Sequence, residues 1–544
     1  YINSAVLFDD TRPTASISDP VQNAFKQTAF TISGNVSDPD PDGGGPLGAS
    51  NVSTVSVSIE RLGTAQCYVW GGGFTAPCPN FIPAFGTQPG PWTLTLPNNP
   101  YANGEKYIVV SSATDFALNR QNVFTPATSS NTFTYDNALP DSRVTFPDGT
   151  QVRSAVANIN GTAANDPARE FPLQGVAVSI GRVIGPTTSY WDGVGFNSVA
   201  VEIFEPAAFV GFSSGVWSYS TPPLTSGLRY LLRSKATDYA GNVENFAAIP
   251  QISFLFDESK PTAAIAGLNG AAPGAYHMNL SPITGSAADN PMINAGLATI
   301  PAGQGVQSRV YELATNKYWD SVLQTFTVDD GNAAWFTADS GTPGNWSSTV
   351  LGLDVGVRNG RQYRIQTRAR DLSVPANLGP SSNGVDSDFT LNKDSWTVTI
   401  DTVPPTANII TPPNLSIRPI ITSIAGTALD ALAGVPDGGT NLVEISIQEI
   451  AGGNAFWNGS LAAPPVGTFT ATTETFYPLS GLVGGGATIS AGNWSVNIPN
   501  PGLFQDAYTY KVRVRARDAA LPTGNQQPLG PTISSITFTR DVGA

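Results

Sequence analysis

Hydrophobic and polar residues alternate with a period of two in short runs along the whole chain. Clear examples are "VSTVSVSIERL" at 52–62, "GVAVSIGRV" at 175–183 and "NLVEISIQEI" at 441–450. Such alternation puts one face of a strand in the core and the other in solvent. Gly- and Pro-containing segments separate the runs and confine each to the length of an ordinary strand. No segment shows a sustained 3.6-residue apolar period, so the pattern predicts an all-β protein.

The same succession of landmarks occurs four times, which is the signature of internal repeats. Each copy opens with an acidic–Pro linker such as "DTVPPTANI", continues with an aromatic–Trp pair such as "YWDG", and closes with an alternating strand that ends in aspartate, as in "SKATDYAGN". Residues 1–9 match the last strands of the copies, so we expect the last strand of a preceding repeat, or a linker, there. The landmarks predict repeat 1 at 10–136, repeat 2 at 137–257, repeat 3 at 258–401 and repeat 4 at 402–544.

About seven short strands in roughly 130 residues are typical of an immunoglobulin-like sandwich. A tyrosine opens each strand that ends in the recurring aspartate, which is where a tyrosine corner lies in such folds. These tyrosines are Tyr107, Tyr230, Tyr363 and Tyr510. A tyrosine that simply fills the core would leave the fold prediction unchanged. The predicted fold is therefore a tandem array of four immunoglobulin-like β-sandwich domains.

Charge and hydrophobicity limit the possible partners. Charged residues make up 12% of the chain and the net charge is −14. No basic cluster is present to meet phosphates, which argues against nucleic-acid binding. No apolar run is long enough to span a membrane. The acidic balance favours a solvated outer surface or cation binding.

The two cysteines, Cys67 and Cys78, are close enough in sequence to staple a hairpin across "YVWGGGFTAP". A disulfide is expected because the rest of the sequence is typical of an extracellular protein. Two reduced, half-buried thiols are the alternative. A zinc site is not expected, since two cysteines and the single histidine offer too few ligands.

Aspartates recur at three places in every repeat: the linker, the loop after the second strand and the loop after the sixth. In a sandwich these three places share one pole. The candidate metal ligands are Asp9 or Asp10, Asp38 and Asp115 in repeat 1, Asp136, Asp166, Asp238 and Asn242 in repeat 2, Asp257, Asp289 and Asp371 in repeat 3, and Asp401, Asp430 and Asp518 in repeat 4. Asn119, Asn377 and Asn525 correspond to Asn242 and offer further amide oxygens. Like charges packed together need neutralisation, and Ca²⁺, which takes six to eight oxygens, would supply it.

Two alternatives explain the aspartates without a metal. Asp and Asn side chains cap turns by accepting hydrogen bonds from nearby backbone amides. Arginines close in sequence, such as Arg368 and Arg515, also offer ion pairs.

Two sets of tryptophans recur. Trp92, Trp217, Trp346 and Trp494 fit core positions on strands. The Trp of the aromatic pair is either a platform for stacking on sugar rings or a structural residue of a hairpin in which one aromatic side chain is buried and the other half-covers a sheet edge. These residues are Trp70, Trp191, Trp319 and Trp457.

Catalysis is not expected. The only histidine, His277, has no nucleophile motif near it, and no pair of glutamates stands out as a glycosidase acid and base. No glycine pattern follows a strand and opens a helix, so nucleotide binding is unsupported.

The motifs "DxxPPT", "GTAxD", "VxVSIxR", "YWDG", "WS" and "ATDxAGN" together resemble the bacterial Ig-like repeats of very large secreted surface proteins. The resemblance covers nearly the whole chain, although repeats 3 and 4 depart from the "AGN" loop with "LSVPAN" and "AALPTGN". It implies an extracellular, cell-surface location and a structural role as a stalk, fibre or surface-layer element, with Ca²⁺ stiffening the joints as in calcium-rigidified adhesins. The alternatives are an adhesin that binds glycans or host protein, and a self-assembling filament or sheath subunit. Expected partners are neighbouring copies, other surface proteins and glycans.

Overall fold

A computed structural model describes residues 9–39, 51–86, 89–166, 169, 171–199, 201–289, 295–300, 302–380, 389–435, 442–451, 453–459, 469–479, 487–499, 501–530 and 534–543. The expected strand at 1–9 lies, except for Asp9, outside these residues. The chain divides into two compact units, Tyr1–Asp257 and Glu258–Ala544. Within the described residues, no helix combines the length and hydrophobicity that crossing a bilayer requires.

Repeat 1 is a two-layered sandwich. Its strands are β1 (Thr14–Asp19), β2 (Ala24–Lys26), β3 (Thr31–Ser37), β4 (Val52–Arg61), β5 (Gln66–Val69), β6 (Gly73–Pro77), β7 (Phe81–Pro83), β8 (Phe85–Gly86), β9 (Gly90–Thr95), β10 (Lys106–Asp115) and β11 (Ser130–Tyr135). One sheet has the order β1-β3-β9-β8. The other has the order β2-β11-β10-β4-β5-β6, with β7 added to β4.

Repeat 2 connects its two layers through a shared strand. Its strands are β12 (Asp141–Phe146), β13 (Asn158–Ala164), β14 (Leu173–Ile184), β15 (Thr187–Trp191), β16 (Phe196–Val199), β17 (Glu205–Gly211), β18 (Ser214–Ser220), β19 (Leu228–Asp238) and β20 (Ile252–Phe256), with a 3₁₀ turn at Phe246–Ala248. The first half of β17 pairs with β14 and the second half with β18. This strand therefore crosses from one layer to the other.

Repeat 3 has the layering of repeat 1. Its elements are β21 (Thr262–Leu268), β22 (Tyr276–His277), β23 (Ile283–Ala288), β24 (Val306–Glu312), β25 (Lys317–Asp320), β26 (Thr325–Val328), β27 (Phe336–Thr337), β28 (Ser340–Thr342), β29 (Asn345–Ser348), α1 (Leu353–Gly356), β30 (Gln362–Arg370), β31 (Leu378–Gly379) and β32 (Ser395–Ile400). The sheets run β21-β23-β29-β28 and β22-β32-β30-β24-β25-β26, with β27 on β24 and β31 on β30.

Repeat 4 repeats this plan once more. Its elements are β33 (Thr406–Thr411), β34 (Ser416–Arg418), β35 (Ser423–Leu429), β36 (Val443–Glu449), β37 (Phe456–Trp457), β38 (Phe469–Ala471), β39 (Tyr477–Pro478), β40 (Ala487–Ser490), β41 (Asn493–Asn497), a 3₁₀ turn at Pro501–Leu503, β42 (Thr509–Ala516) and β43 (Ser534–Arg540). The sheets run β33-β35-β41-β40 and β34-β43-β42-β36-β37-β38, with β39 on β36. The predicted all-β array of four immunoglobulin-like sandwiches is confirmed.

Each sandwich has its own hydrophobic core, and a glycine–tryptophan pair occupies the same place in all four. The cross-strand pairs are Gly34–Trp92, Gly161–Trp217, Gly285–Trp346 and Gly426–Trp494. All four tryptophans are buried, as predicted for core residues. A β-carbon on Gly34 or Gly285 would lie 2.5 Å from the indole ring. The absence of a side chain at the glycine is what lets the ring lie flat against the neighbouring strand.

All four repeats contain the predicted tyrosine corner. Each buried tyrosine hydroxyl accepts a hydrogen bond from the backbone N–H five residues earlier, at 2.7–2.9 Å. The pairs are Tyr107 with Ala102, Tyr230 with Thr225, Tyr363 with Arg358, and Tyr510 with Gln505. The bond ties the loop that crosses the pole of the sandwich to the strand that carries the recurring aspartate.

A short second strand pairs in parallel with the last strand of three repeats. β2 pairs with three residues of β11, β22 with two residues of β32, and β34 with three residues of β43. In repeat 2 the corresponding contact is a single parallel bridge between Arg153 and Phe256.

Candidate metal centres

The recurring aspartate at the end of the sixth core strand caps its own loop in every repeat. Its Oδ1 accepts a backbone N–H from the asparagine at the end of the loop, at 2.7–2.8 Å. The pairs are Asp115 with Asn119, Asp238 with Asn242, Asp371 with Asn377, and Asp518 with Asn525. Turn capping, one of the two metal-free explanations, is therefore realised at all four positions.

The asparagine also fastens the preceding linker. In repeat 2 the Asn242 Nδ2 donates to Asp238 Oδ2 at 2.9 Å and to the backbone oxygen of Asp136 at 2.8 Å. Asn119 makes the same two bonds, to Asp115 Oδ2 and to the backbone oxygen of Asp9. Asn525 makes them to Asp518 Oδ2 and to the backbone oxygen of Asp401. Both neighbours are acceptors, so only the amide nitrogen suits this place. The expectation that Asn242 offers a metal-binding oxygen to the aspartates is therefore wrong.

Three carboxylates converge in repeat 4 and in repeat 1. In the repeat 4 cluster (Asp401, Asp430 and Asp518), one oxygen of each residue lies within 4.8 Å of the others. The repeat 1 cluster has the same geometry and consists of Asp9, Asp38 and Asp115. Asp10 does not take part because its side chain is exposed. The linker residue of this cluster is Asp9, whose Oδ1 also accepts the N–H and the hydroxyl of Thr11.

Repeat 2 departs from this pattern. Asp136 and Asp238 (the repeat 2 pair) are both buried, but Asp166 is not the third member. Asn165 lies between the two acids, and its Nδ2 is 3.3 Å from Asp136 Oδ2 and 3.4 Å from Asp238 Oδ2. Asn165 lies four residues after Gly161 of the second strand, just as Asp430 lies four residues after Gly426 in repeat 4, so the two residues occupy equivalent positions. Asp166, which the sequence predicts as the third acid, is one residue beyond this position.

The aspartates predicted for repeat 3 belong to different units. Asp257 is the last residue of the first unit, where Ser226 Oγ donates to its Oδ1 at 3.0 Å. Asp289 follows β23 and Asp371 follows β30 in the second unit. Asp371 is buried and accepts hydrogen bonds from the backbone N–H and the hydroxyl of Ser373.

Burial and like charges raise the pKa of the linker aspartate in two repeats, Asp401 and Asp136. For Asp401, burial is the largest cause, the neighbouring Asp430 and Asp518 add to it, and the N–H groups of Ala433 and Val403 oppose it. For Asp136, burial again raises the pKa most and the charges of Asp238 and Asp166 add to it, while hydrogen bonds from Ala138 and Asn165 lower it. The carboxylates are thus held together at an electrostatic cost that a cation would remove.

The donor set of the triple clusters suits calcium. All donors are oxygens, and calcium–oxygen distances of 2.3–2.6 Å put opposite ligands about 4.6–5.2 Å apart. The carboxylate oxygens of each cluster lie within 4.8 Å of one another, which is compatible with that range. In the repeat 4 cluster, Asp430 Oδ1 and Asp518 Oδ1 each accept two N–H groups. Asp518 Oδ2 and the two oxygens of Asp401 each accept one and so keep a second lone pair that could face an ion.

Two of the tryptophans proposed as sugar platforms are buried. Trp319 packs on Phe326 and Trp457 on Tyr477, both inside the cores of their repeats. The hairpin folds its tryptophan inward there, so neither ring can stack on a glycan. Trp191 is partly covered and donates its Nε1–H to Tyr219. Trp70, with half of its surface exposed, presents an open ring.

Cys67 and Cys78 form a disulfide across the β5–β6 hairpin, with their Cα atoms 5.1 Å apart. Because the two sulfurs are bonded to each other, neither is a thiolate that could bind a metal together with the neighbouring Glu60.

Asn103 and Asn359 are structural residues that sequence reasoning missed. Asn103 Oδ1 caps the linker N–H of Asn137 at 2.8 Å, and Asn359 Oδ1 caps that of Thr402 at the same distance. Both lie just before the tyrosine-corner strand, so comparing the repeats at this loop would have revealed them.

No known family and no curated protein matches the chain. Solved structures similar to it include a tetra-tandem repeat from the extending region of a large adhesion protein, at 14% identity, covering 98% of this chain and 100% of that one, with a TM-score of 0.33. Chicken CNTN1 FN1-FN3 domains match at 10% identity, covering 74% and 99%, with a TM-score of 0.27. The N-terminal eight Ig domains of Down Syndrome Cell Adhesion Molecule match at 9% identity, covering 98% and 57%, with a TM-score of 0.21. Tandem repeats of an adhesion protein, the kind that the sequence resembles, are thus among its structural neighbours, while the fold assignment rests on the strand pairings described above.

Proposed function

We propose that the chain is a non-catalytic structural segment of a microbial cell surface, serving as part of a stalk, fibre or surface layer, and that Ca²⁺ stiffens its repeat boundaries. The observation that carries this proposal is the repeat 4 cluster, in which three carboxylates lie within 4.8 Å of one another.

The origin of the three acids supports a role at the boundary. Asp401 directly follows β32, the last strand of repeat 3, whereas Asp430 and Asp518 follow β35 and β42 of repeat 4. An ion held by all three would link the end of one sandwich to the pole of the next. Because Asn525 already binds the backbone oxygen of Asp401, the ion would lock a linker whose path is preset.

Calcium removal is the direct test. Calorimetry of the full chain in CaCl₂ and in EDTA should show a higher melting temperature with calcium, since a ligand at 100 times its Kd stabilises by about 2.7 kcal/mol per site. X-ray scattering should show a narrower distribution of radii of gyration in calcium than in EDTA, because stiffer boundaries restrict bending. An identical melting temperature and scattering profile in both buffers would remove calcium from the proposal.

A pair of adjacent aspartates supplies the matched control. Asp9→Asn removes a charge from the repeat 1 cluster, whereas Asp10→Asn removes one from an exposed side chain next to it. Titration calorimetry should show one fewer bound Ca²⁺ for D9N and no change for D10N. Equal loss in both variants would indicate general charge attraction instead of a site.

A further inference from the structure

Asn165 is fixed in one orientation between the repeat 2 pair. Its Oδ1 accepts the backbone N–H of Asp166 at 2.9 Å, so its Nδ2 must face the two acids. The residue is 2% exposed, and it sits at the position where repeat 4 has Asp430. An amide that donates hydrogen therefore replaces a carboxylate that carries negative charge.

The repeat 2 pair is satisfied without any further partner. Asp136 Oδ1 accepts the N–H of Ala138, and Asp136 Oδ2 accepts Asn165 Nδ2. Asp238 Oδ1 accepts the N–H of Asn242, and Asp238 Oδ2 accepts the amides of Asn242 and Asn165. All four carboxylate oxygens thus have a donor from the protein, and the side chain at position 165 adds no negative charge to the pair.

We propose that Asn165 takes the place of a cation at the boundary between repeats 1 and 2, so that this boundary is held by an amide and is insensitive to divalent ions. The statement that other boundaries depend on an ion rests on the function proposed above. The role of Asn165 in holding the acid pair is independent of that function. The array then combines a permanent boundary with boundaries that respond to calcium.

The test is Asn165→Asp in the full chain. The new Oδ2 would face the oxygens of Asp136 and Asp238 at the 3.3–3.4 Å now spanned by hydrogen bonds, where like charges repel. In EDTA we expect a fall of several degrees in the melting temperature of the first unit. In calcium we expect the loss to be restored and one additional Ca²⁺ to bind. Asn158→Asp, the same change at an exposed position of β13, the strand that precedes Asn165, is the control and should melt like the wild type.

The reciprocal variant is Asp430→Asn. An amide placed between Asp401 and Asp518 should bridge them as Asn165 bridges its pair, raising the melting temperature of the second unit in EDTA and removing one bound Ca²⁺. This variant decides the question if N165D does not fold.

The outcomes separate the two proposals. If the wild type binds no calcium, the calcium part of the proposed function fails, yet a destabilised N165D in EDTA still supports the role of Asn165. If N165D melts like the wild type in EDTA, or D430N fails to gain stability there, the inference about Asn165 is wrong whatever the calcium stoichiometry.

Discussion

At the scale of single residues, each sandwich depends on a few polar side chains that fasten loops to strands. The tyrosine corner does so at the start of the sixth core strand, and the asparagine after the recurring aspartate does so at the other end of that strand. The asparagine bonds position the backbone around the acidic residues.

The tyrosine corner can be tested in repeat 2. Tyr230→Phe removes the hydroxyl that accepts the Thr225 N–H at 2.8 Å while keeping the buried ring. We expect a loss of about 1 kcal/mol in the free energy of unfolding, the usual net value of one such bond. Urea denaturation measures it. Tyr239→Phe is the control because that side chain is 60% exposed; a loss of equal size there would show that the corner bond contributes nothing specific.

The sequence predicted the tyrosine corners well because they depend on spacing within one strand. It did not indicate Asn165, because the acidic residue next to this position is Asp166 and only the register of the strand distinguishes the two. It failed at Asn242 because the two ends of an amide can be distinguished only when the neighbouring atoms are known.

At the scale of strands, the glycine–tryptophan pair determines how the second strand packs. Gly285 pairs directly with Trp346, and a side chain there would collide with the indole ring and with the backbone oxygen of Ala264. We expect Gly285→Ala to cost about 1–3 kcal/mol, the range for overpacked cores.

Thermal denaturation followed by tryptophan fluorescence would measure this effect. Gly344→Ala in the same repeat is the control, since a β-carbon there meets no atom within 4 Å. A G285A variant as stable as G344A would mean that the strand can shift to make room.

The alternation of hydrophobic and polar residues was sufficient to predict the long strands, such as β4 and β42, because their burial pattern follows the pleat. It could not predict strands of two or three residues such as β27 and β39, which are too short to show a period. The sequence allowed one aromatic residue of each hairpin to be buried but did not tell which one; in repeats 3 and 4 the tryptophans, Trp319 and Trp457, are buried.

At the scale of the whole molecule, the only histidine of the chain lies in the second unit. His277 is fully buried, and its Nε2 accepts the N–H of Gly274 at 3.0 Å. Burial lowers the pKa of His277 from 6.5 to about 4. Between these values the unfolded chain binds a proton that the folded chain does not, so stability is complete above pH 6.5 and falls as the pH falls.

The full effect corresponds to about 3 kcal/mol at pH 4. Urea denaturation of the wild type and of His277→Gln from pH 7 to pH 4 measures it, because glutamine can accept the Gly274 N–H without titrating. Asp401, whose pKa is raised chiefly by burial, changes stability in the opposite sense and is common to both proteins. Parallel pH profiles for the two proteins would contradict the expectation.

The parallel pairing between the short second strand and the last strand has a mechanical consequence. When a chain is pulled from its ends, the force slides the two paired strands past each other. Their hydrogen bonds must then break together before the sandwich can open. Repeats 1, 3 and 4 have two or three paired residues there, whereas repeat 2 has the single bridge between Arg153 and Phe256. Under tension, repeat 2 is therefore the sandwich that yields first, and its unravelling would lengthen the chain and relieve the load on its neighbours.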